Sequence, residues 1–580
     1  MKHGLMILTL CVTLLSSANA MTFTDVTSPD FQGSEYSVVA WGDVDGNGYA
    51  DLFLGSATTA GGSRLFLNNG SAWNNASEEY EVSSINSVKS ARFVDFDQDG
   101  NLDLFCLTQD GAGVELYRLS ENGRFQPVDL NLDGTTDGSI RSAVWCDADN
   151  DGSLDLLLSN RSSEDDESVL LIPSTDEFVE ARGTTGPFSE TLANQVSSVD
   201  FDQDGDVDYF ISKEDGTTSL WKNTGGFFQD LGSTMEFPIK IALRSVTWAD
   251  FNLDGNLDFY ACGSSSNRCL FYQYPAIDGT SSRFVDVTDE FDLSDVTRGT
   301  TSSHAVDANG DGQMDIFLVG DAGNSLLIND GESGWSTADI ESNLRQTNRG
   351  TRSCAWGDFD NDGDLDVAMA QGRNGIKLYR NESTIEHEYI GLKLCGSDNC
   401  MTPVLNCLVS VEFPDGKQWA ATSMYASNIG SDLSMRLLYN PTLSHSEEWT
   451  VNVAWPNGTV TTLTQLDIPL DGVTELHMPH VPTPGNHQLV LNPVLNAEVS
   501  NYPNPFNPTT NIEFTLSEAA NITLSIYNLL GQEVVTLASG TYEAGLHSLV
   551  FDAAALPSGL YMARLESPTG SVVHRMLLTK

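Results

Sequence analysis

Acidic and amide side chains recur along this chain in a nine-residue pattern, D-x-[DN]-x-[DN]-G-x-x-D, whose eighth residue is apolar or small. The pattern occurs seven times, and successive copies start 50 to 57 residues apart. The glycine at position 6 lets the backbone turn through positive φ, so that oxygen atoms from positions 1, 3, 5 and 9 and the position 7 carbonyl can converge. Such a donor set suits Ca²⁺, which takes roughly six to eight oxygen ligands.

The seven copies, loops 1 to 7, span residues 43–51, 95–103, 147–155, 200–208, 250–258, 307–315 and 358–366. We expect up to seven structural Ca²⁺ sites, because softer metals would require His or Cys ligands and no copy contains either. The candidate ligands are Asp43, Asp45, Asn47, Tyr49 and Asp51; Asp95, Asp97, Asp99, Asn101 and Asp103; Asp147, Asp149, Asp151, Ser153 and Asp155; Asp200, Asp202, Asp204, Asp206 and Asp208; Asp250, Asn252, Asp254, Asn256 and Asp258; Asp307, Asn309, Asp311, Gln313 and Asp315; and Asp358, Asp360, Asp362, Asp364 and Asp366.

A solvated turn is the alternative for any single copy, since Asp and Gly favour turns. Seven copies in phase favour the cation, because like charges about 4 Å apart repel by roughly 4 kcal/mol per pair at an effective dielectric near 20. Asn47, Asn252 and Asn309 each replace one carboxylate. On ligand charge alone, loops 1, 5 and 6 should therefore bind Ca²⁺ more weakly than the others.

The loops differ from EF-hands in their flanking segments. An EF-hand ends in a bidentate Glu at position 12 and is flanked by helices. Here a short apolar run comes after position 9, as in Asp51-Leu-Phe-Leu, and predicts a strand. Position 12 holds Leu54, Cys106, Leu158, Ile211, Ala261, Leu318 and Met369.

Each repeat contains up to four predicted strands, which is the content of a propeller blade. After loop 2, for example, Val114-Glu-Leu-Tyr-Arg and Arg124-Phe-Gln-Pro-Val supply the third and fourth strands. The last repeat lacks a fourth strand, and the N-terminal segment Thr22-Phe-Thr-Asp-Val-Thr resembles the missing one. We therefore predict an all-β fold that begins with a seven-bladed β-propeller over residues 21–384, closed so that no sheet edge is exposed.

The composition is that of a folded, strongly acidic protein. The chain has 580 residues, 40% of them hydrophobic and 19% charged, and its net charge is −53. This charge argues against nucleic acid and anionic membranes as partners. The acidic surface can also simply keep a secreted protein soluble. Residues 1–20 resemble a signal peptide, and no later segment is apolar over the roughly 18 residues of a transmembrane span.

Eight cysteines come after the predicted leader, an even number that suits an oxidising compartment. Cys262 with Cys269, and Cys395 with Cys400, are close enough in sequence for local disulfides. The other four can equally be free buried thiols, since the sequence does not pair them: Cys106, Cys146, Cys354 and Cys407.

The stretch Ala355-Trp-Gly-Asp-Phe-Asp-Asn-Asp-Gly-Asp-Leu-Asp resembles the FG-GAP/VCBS repeats of integrin α-subunit propellers and bacterial surface proteins. The resemblance covers about 360 residues. It implies structural Ca²⁺ in strand-connecting loops on one face of the propeller.

Residues 385–478 alternate strands with Asp-Gly and Asn-Gly turns, which predicts a small β domain. Its order, beginning at Tyr389-Ile-Gly-Leu-Lys-Leu, resembles the ASPIC/UnbV domain of cartilage acidic protein relatives. The chain departs from that family at Asn406-Cys-Leu-Val and Tyr439-Asn-Pro-Thr-Leu-Ser-His, so no function of those loops is carried over. A Pro-rich linker, residues 479–498, connects this domain to the C-terminal segment.

Residues 499–580 open with Asn501-Tyr-Pro-Asn-Pro-Phe-Asn-Pro and continue as short alternating strands, which predicts an immunoglobulin-like β-sandwich. This segment resembles the type A C-terminal sorting domain of the bacterial type IX secretion system. The resemblance implies that this machinery is a partner and that the mature protein is secreted or held on the outer-membrane surface of a Gram-negative-type bacterium. An accessory adhesion sandwich is the alternative.

No catalytic motif accompanies these features: H-E-x-x-H, G-x-S-x-G and Walker loops are absent from the sequence, and His304 is expected to pack beside loop 6. We therefore expect a non-catalytic exported protein that binds a protein or glycan through a propeller rigidified by Ca²⁺. The alternative is a glycan-acting enzyme, either a polysaccharide lyase or a glycosidase, because a pair of catalytic carboxylates has no recognisable spacing in sequence.

Overall fold

The described part of the chain is almost entirely β-structure. No α-helix occurs in it, and its two 3₁₀ helices are Pro29–Phe31 and Val82–Ser84. The computed structural model describes residues 21–32, 35–59, 61–108, 113–120, 122–130, 140–148, 153–159, 168–173, 178–181, 193–202, 206–224, 227–231, 240–263, 267–273, 283–291, 293, 300–320, 323–331, 334–338, 344, 350–382, 389–395, 408–412, 418–422, 435–439, 449–455, 460–468, 472–477, 499–502, 506, 508–516, 520–528, 533–542, 545–554, 556, 559–567 and 570–578.

The N-terminal strand β1 is Phe23–Asp25, and the repeats then form four-stranded antiparallel sheets, here numbered 1 to 7 in chain order. Sheets 1 to 3 contain β2 to β13: Tyr36–Gly42, Asp51–Ser56, Arg64–Asn68, Trp73–Asn75; Val88–Val94, Asp103–Thr108, Val114–Leu119, Phe125–Val128; Ser142–Cys146, Asp155–Ser159, Val169–Pro173, Phe178–Ala181. Sheets 4 to 6 contain β14 to β25: Ala193–Val199, Asp208–Lys213, Thr218–Thr224, Phe227–Asp230; Leu243–Ala249, Asp258–Gly263, Asn267–Gln273, Arg283–Asp286; Thr300–Val306, Asp315–Gly320, Ser325–Asn329, Trp335–Thr337. Sheet 7 contains β26 to β28, Ser353–Gly357, Asp366–Ala370 and Ile376–Asn381, together with β1.

The N-terminal strand completes sheet 7. Phe23 lies opposite Asn381, and Asp25 lies opposite Tyr379, in an antiparallel pair. Lys377 on β28 pairs with Asp25. The pairing predicted between the two ends of the repeat region is therefore present, and β28 has a neighbour on both sides.

Each acidic loop joins the first strand of its sheet to the second. The second strand starts at position 9 of the loop, and every residue of β3, Asp51–Ser56, is buried. Such a strand contains a continuous apolar run because neighbouring sheets cover both of its faces. This burial accounts for the continuous apolar run after each position 9.

Apolar clusters join each sheet to the next and join sheet 7 to sheet 1, so that the seven sheets form a closed, β-propeller-like circle. An aromatic residue near the end of a first strand packs against the second strand of the preceding sheet. The ring centroids lie 6.3, 5.5, 5.8 and 5.3 Å apart in Phe53–Phe93, Phe105–Trp145, Phe210–Trp248 and Phe317–Trp356. Between sheets 7 and 1, Trp41 stacks on Phe359 at 6.2 Å.

Asparagine side chains add polar bonds between sheets. Asn68, the last residue of β4, donates through Nδ2 to the carbonyl of Phe359 in loop 7 at 2.7 Å. Equivalent bonds run from Asn223, Asn329 and Asn381 to the position 2 carbonyls of Ala148, Phe251 and Ala308, at 3.1, 2.8 and 3.0 Å. Each of these buried amides ties a sheet to the loop of the preceding sheet.

Two further β units come after the circle. The first contains β29 to β35, Tyr389–Cys395, Leu408–Glu412, Gln418–Thr422, Met435–Tyr439, Thr450–Ala454, Val460–Thr464 and Gly472–His477, in sheets of three and four strands around Trp449 and Trp455. The second contains β36 to β42, Val499–Tyr502, Thr509–Leu516, Ala520–Asn528, Glu533–Tyr542, Gly545–Asp552, Gly559–Ser567 and Gly570–Leu578. Its sheets of three and four strands share one apolar core.

The cysteine expectations are partly wrong. Cys262 and Cys269 are free and buried, because Cys262 lies opposite Asn267 in the strand pair while Cys269 lies opposite Tyr260. Cys106, Cys146 and Cys354 are also buried thiols that form no disulfide. Cys400, Cys407, the predicted leader and the predicted linker lie outside the described residues. No helix in the described part of the chain is long and apolar enough to cross a membrane.

Replacing Asn68 by Ala should lower the free energy of unfolding of the circle by about 2 kcal/mol, because the Phe359 carbonyl would stay buried without this donor. Denaturant unfolding of the Ca²⁺-supplemented protein measures the change. Asn74→Ala is the matched control, since Asn74 is exposed on β5 of the same sheet. Equal stability of the two variants would contradict a bridging role for Asn68.

Candidate metal centres

The Asp at position 9 holds three parts of the repeat together in six of the seven repeats. In loop 1, Asp51 accepts from the Val44 N–H at 2.8 Å through Oδ2 and from the Asn68 N–H at 2.7 Å through Oδ1. The bond from position 2 recurs in all seven loops, at 2.8 to 3.4 Å. The bond from the third strand recurs in sheets 1, 2, 4, 5, 6 and 7, at 2.7 to 2.8 Å.

The Asp at position 1 fixes the bend of the loop. In loop 7, Asp358 accepts from the N–H groups of Asp362 and Gly363 at 3.1 and 3.0 Å. The same pair of bonds occurs in loops 1, 2, 5 and 6. Gly363 has φ of 96°, a left-handed conformation in which a side chain would be strained, so position 6 requires glycine.

Position 4 is a second left-handed residue, which the sequence pattern did not reveal. It is glycine in loops 1 and 6, but Gln98, Leu253 and Asn361 adopt φ of 57, 56 and 59° in loops 2, 5 and 7. Leu253 is partly buried and packs against the core of the first β unit after the circle, as does Met314 of loop 6. Loops 5 and 6 therefore contact that unit.

The structure brings together part of the predicted ligand set in loops 1, 2, 4 and 7, whereas the described residues of loops 3, 5 and 6 form no such group of three acidic side chains. Oxygen atoms of positions 1, 3 and 9 lie within 4.8 Å of one another in loops 1, 4 and 7, and those of positions 1, 3 and 5 do so in loop 2. Position 5 also caps the loop, as Asp362 Oδ1 accepts from the Asp364 N–H at 3.0 Å. Asp149, Asp151 and Asp204 lie outside the described residues.

Burial raises the pKa of the loop carboxyl groups, and neighbouring carboxylates raise it further. The pKa values of Asp51, Asp95, Asp250 and Asp358 rise to about 7, and those of Asp103 and Asp366 to about 9. The backbone N–H bonds oppose this rise without cancelling it. A cation among these groups would stabilise their ionised forms.

The atoms present fit a hard cation. Asp360 Oδ1 is buried without a hydrogen-bond partner, while the same carboxylate belongs to the oxygen cluster with Asp358 and Asp366. A buried carboxylate oxygen without a donor is costly unless a cation compensates it. Carboxylate oxygens in close array are the ligands that Ca²⁺ prefers.

Basic side chains lie against three of the loops, and the acidic repeat pattern did not reveal them. Arg118 Nε lies 2.6 Å from Asp97 Oδ2, and Arg380 Nη1 lies 3.8 Å from Asp360 Oδ2. Lys222 forms an ion pair with Asp202. The sequence signal that could have revealed these basic residues is Leu-x-[Lys/Arg] near the end of the third strand.

His304 lies on β22, three residues before loop 6, and its Nε2 is 3.2 Å from Ser302 Oγ. Burial lowers the pKa of His304 to about 4. The imidazole is therefore neutral at pH 7, and the expected packing of His304 beside loop 6 stays a prediction.

Two family models match parts of this chain. Residues 43–106, 95–158, 200–261 and 307–369 match the FG-GAP-like repeat, and residues 500–579 match the secretion system C-terminal sorting domain. These matches define a secreted, β-propeller-like cell-surface protein with a type IX sorting tail. The tail implies the type IX machinery as a partner. The ASPIC/UnbV assignment of residues 385–478 stays a prediction.

Solved structures show distant likenesses. An Agrocybe aegerita lectin that recognises non-reducing terminal N-acetylglucosamine is 18% identical over 53% of this chain and 81% of the lectin, with TM-score 0.36. An exotype rhamnogalacturonan lyase is 13% identical over 62% and 75% of the two chains, with TM-score 0.34. A type IX secretion component of Porphyromonas gingivalis, PorZ, is 11% identical over 95% and 99%, with TM-score 0.20. These scores carry no argument about function, and no curated protein matches the chain.

In a Ca²⁺ chelator, the thermal midpoint should fall by several degrees as the pH rises from about 5 to about 9. The folded-state pKa values exceed the ordinary value of 3.8, so the folded protein binds more protons than the unfolded chain. The stability that these protonated carboxyl groups contribute is complete below about pH 4. It is lost as the pH rises through their folded-state pKa values, about 7 for Asp51 and about 9 for Asp103. Calorimetry at stepped pH measures it.

The control for the pH series is the same protein saturated with Ca²⁺. A bound cation stabilises the ionised carboxylates, so the fall between these pH values should become much smaller. A midpoint that rises with pH in the chelated protein would contradict the interpretation.

Proposed function

We propose that this protein is an exported, non-catalytic binding protein built on a seven-bladed β-propeller that Ca²⁺ rigidifies. The seven-bladed form is supported by seven four-stranded sheets, by the pairing of β1 with β28, and by apolar clusters that join sheet 7 to sheet 1. In this arrangement each loop lies between the first and second strands of its own blade.

The observation that carries the Ca²⁺ proposal is the carboxylate cluster of loop 7. Asp358, Asp360 and Asp366 place oxygen atoms within 4.8 Å of one another, and Asp360 Oδ1 has no hydrogen-bond partner. Positions 1, 3 and 9 would provide charged ligands, with position 5 and the position 7 carbonyl completing the set. The ion would fix the connection between two strands and neutralise buried charge.

Chelation of Ca²⁺ should lower the thermal midpoint substantially, and added Ca²⁺ should restore it. Each site filled at 100 times its Kd contributes about 2.7 kcal/mol, so several sites together have a large effect. Calorimetry of the full chain with EGTA and then with excess Ca²⁺ measures the change. Mg²⁺ at the same concentration is the control, because its strict octahedral geometry fits these loops poorly. An unchanged midpoint in protein stripped of Ca²⁺ would refute the structural role.

The binding role is proposed because the strongly perturbed carboxylates have a structural use. Asp51, Asp103, Asp258 and Asp366 all accept backbone N–H groups from their own sheet. Groups engaged in this way hold strands together and are poorly placed to exchange protons with a substrate. A propeller stabilised in this manner offers a rigid surface on which other loops can recognise a protein or a glycan.

Full-length protein loaded with Ca²⁺ should retain a specific ligand on arrays of glycans and surface proteins, and EGTA should weaken that binding. The same protein incubated with polysaccharides should release neither new reducing ends nor unsaturated uronates. Release of either product at a rate above that of a heat-denatured control would favour the lyase or glycosidase alternative. Lack of any retained ligand together with such turnover would refute the binding proposal.

A further inference from the structure

The third strand divides six of the seven acidic loops into two groups; loop 3 belongs to neither, because Pro173 at the end of its third strand has no N–H to donate. In sheets 2, 4 and 7 a basic residue stands immediately before the residue whose N–H donates to the position 9 Asp. In sheets 1, 5 and 6 the same place holds an apolar residue. The basic residues are Arg118, Lys222 and Arg380, and the apolar ones are Leu67, Phe271 and Ile328.

The two groups also differ in their ligands. Loops 2, 4 and 7 have Asp at positions 1, 3, 5 and 9, whereas loops 1, 5 and 6 have Asn at position 3 or 5. In loop 2, four carboxylates and the guanidinium of Arg118 give a formal charge of −3. Loop 5 has three carboxylates and no basic neighbour at that place, which is also −3. In loop 2 the basic side chain therefore offsets the extra carboxylate. Loops 4 and 7 have a further carboxylate at position 7, Asp206 or Asp364, beside their basic neighbour. Loop 3 also has four Asp ligands, but Ile172 stands at the corresponding place on its third strand.

We propose that Arg118, Lys222 and Arg380 are internal counter-ions that hold loops 2, 4 and 7 folded without Ca²⁺ and lower their Ca²⁺ affinity. This inference rests on the proposed Ca²⁺ binding and deepens it. On ligand charge alone these loops should bind more tightly than the loops with Asn. With the counter-ions included, the difference in affinity between the two groups becomes smaller.

Each arginine has a second partner that can keep it near the loop when the ion binds. The Arg118 guanidinium lies over the Phe96 ring, 5.2 Å from the ring centroid. Arg380 Nε donates to Glu382 Oε1 at 2.7 Å. A cation can therefore take the carboxylate of Asp97 or Asp360 while the arginine remains bound beside it. The positive charge stays close enough to repel Ca²⁺.

Arg380→Met in the full-length protein should raise the Ca²⁺ affinity of one site by about tenfold, the order of the repulsion between Ca²⁺ and a single charge several Å away in a water-like dielectric. The triple variant Arg118→Met, Lys222→Met and Arg380→Met should shift three sites. Leu67→Arg should do the reverse at loop 1. Titration against a competing Ca²⁺ indicator measures how many sites fall in each affinity class.

Arg373→Met is the matched control, because Arg373 pairs with Glu35 rather than with a loop carboxylate. Its affinities should equal those of the wild type. The thermal midpoint gives an independent readout: Arg380→Met should melt earlier than wild type in EGTA but not in excess Ca²⁺. A purely structural ion pair would lower both midpoints alike.

Ca²⁺ binding with the same or lower affinity in Arg380→Met, or an equal loss of stability with and without Ca²⁺, would overturn the counter-ion assignment alone. The proposed propeller sites would survive that result. Absence of Ca²⁺ binding in the wild-type protein would remove the proposed function and the counter-ion inference together.

Discussion

The buried carboxylate at position 9 is the group on which the rest of the repeat depends. Asp51 starts the second strand, accepts from Val44 in the loop, and accepts from Asn68 at the end of the third strand. Two bonds thus fix three segments that are separate in sequence. Burying this acid is costly, as the raised pKa of about 9 at Asp103 and Asp366 shows. The fold therefore contains a charge in each repeat that a cation would stabilise.

The same carboxylates are connected from sheet to sheet. Asn381 donates its N–H to Asp366 of loop 7 and its Nδ2 to Ala308 of loop 6. Asn68 and Asn329 make the corresponding pairs of bonds, so that loops 5, 6, 7 and 1 are joined in series. Because the bonds run through buried backbone, a change in one loop alters the support of its neighbour. Ion binding at these loops should be energetically coupled to the packing of the circle.

The sequence predicts the acidic loops and the strands after them, because both follow a fixed local pattern. In loop 7, for example, Gly363 stands at position 6 and Asp366, which starts the next strand, at position 9. The sequence does not predict the partners of these loops and strands, because the third strand comes at a variable distance: Asn68 lies 17 residues after Asp51, but Asn329 lies 14 after Asp315. The same uncertainty in strand pairing made the disulfide expectation for Cys262 and Cys269 wrong. Contacts that depend on tertiary pairing have no constant spacing to detect.

Local charge, rather than net charge, decides where a cation matters. Seven Ca²⁺ ions would offset only 14 of the charges in a net −53. However, salt screens charges that are separated by more than about 8 Å at physiological ionic strength. The clustered loop oxygens lie within 4.8 Å of one another, so salt does little to relieve their repulsion. A Ca²⁺ ion inside the loop would act at a distance where screening fails, as the guanidinium 2.6 Å from Asp97 does. A very acidic surface is therefore compatible with loop charges that a nearby cation would balance one loop at a time.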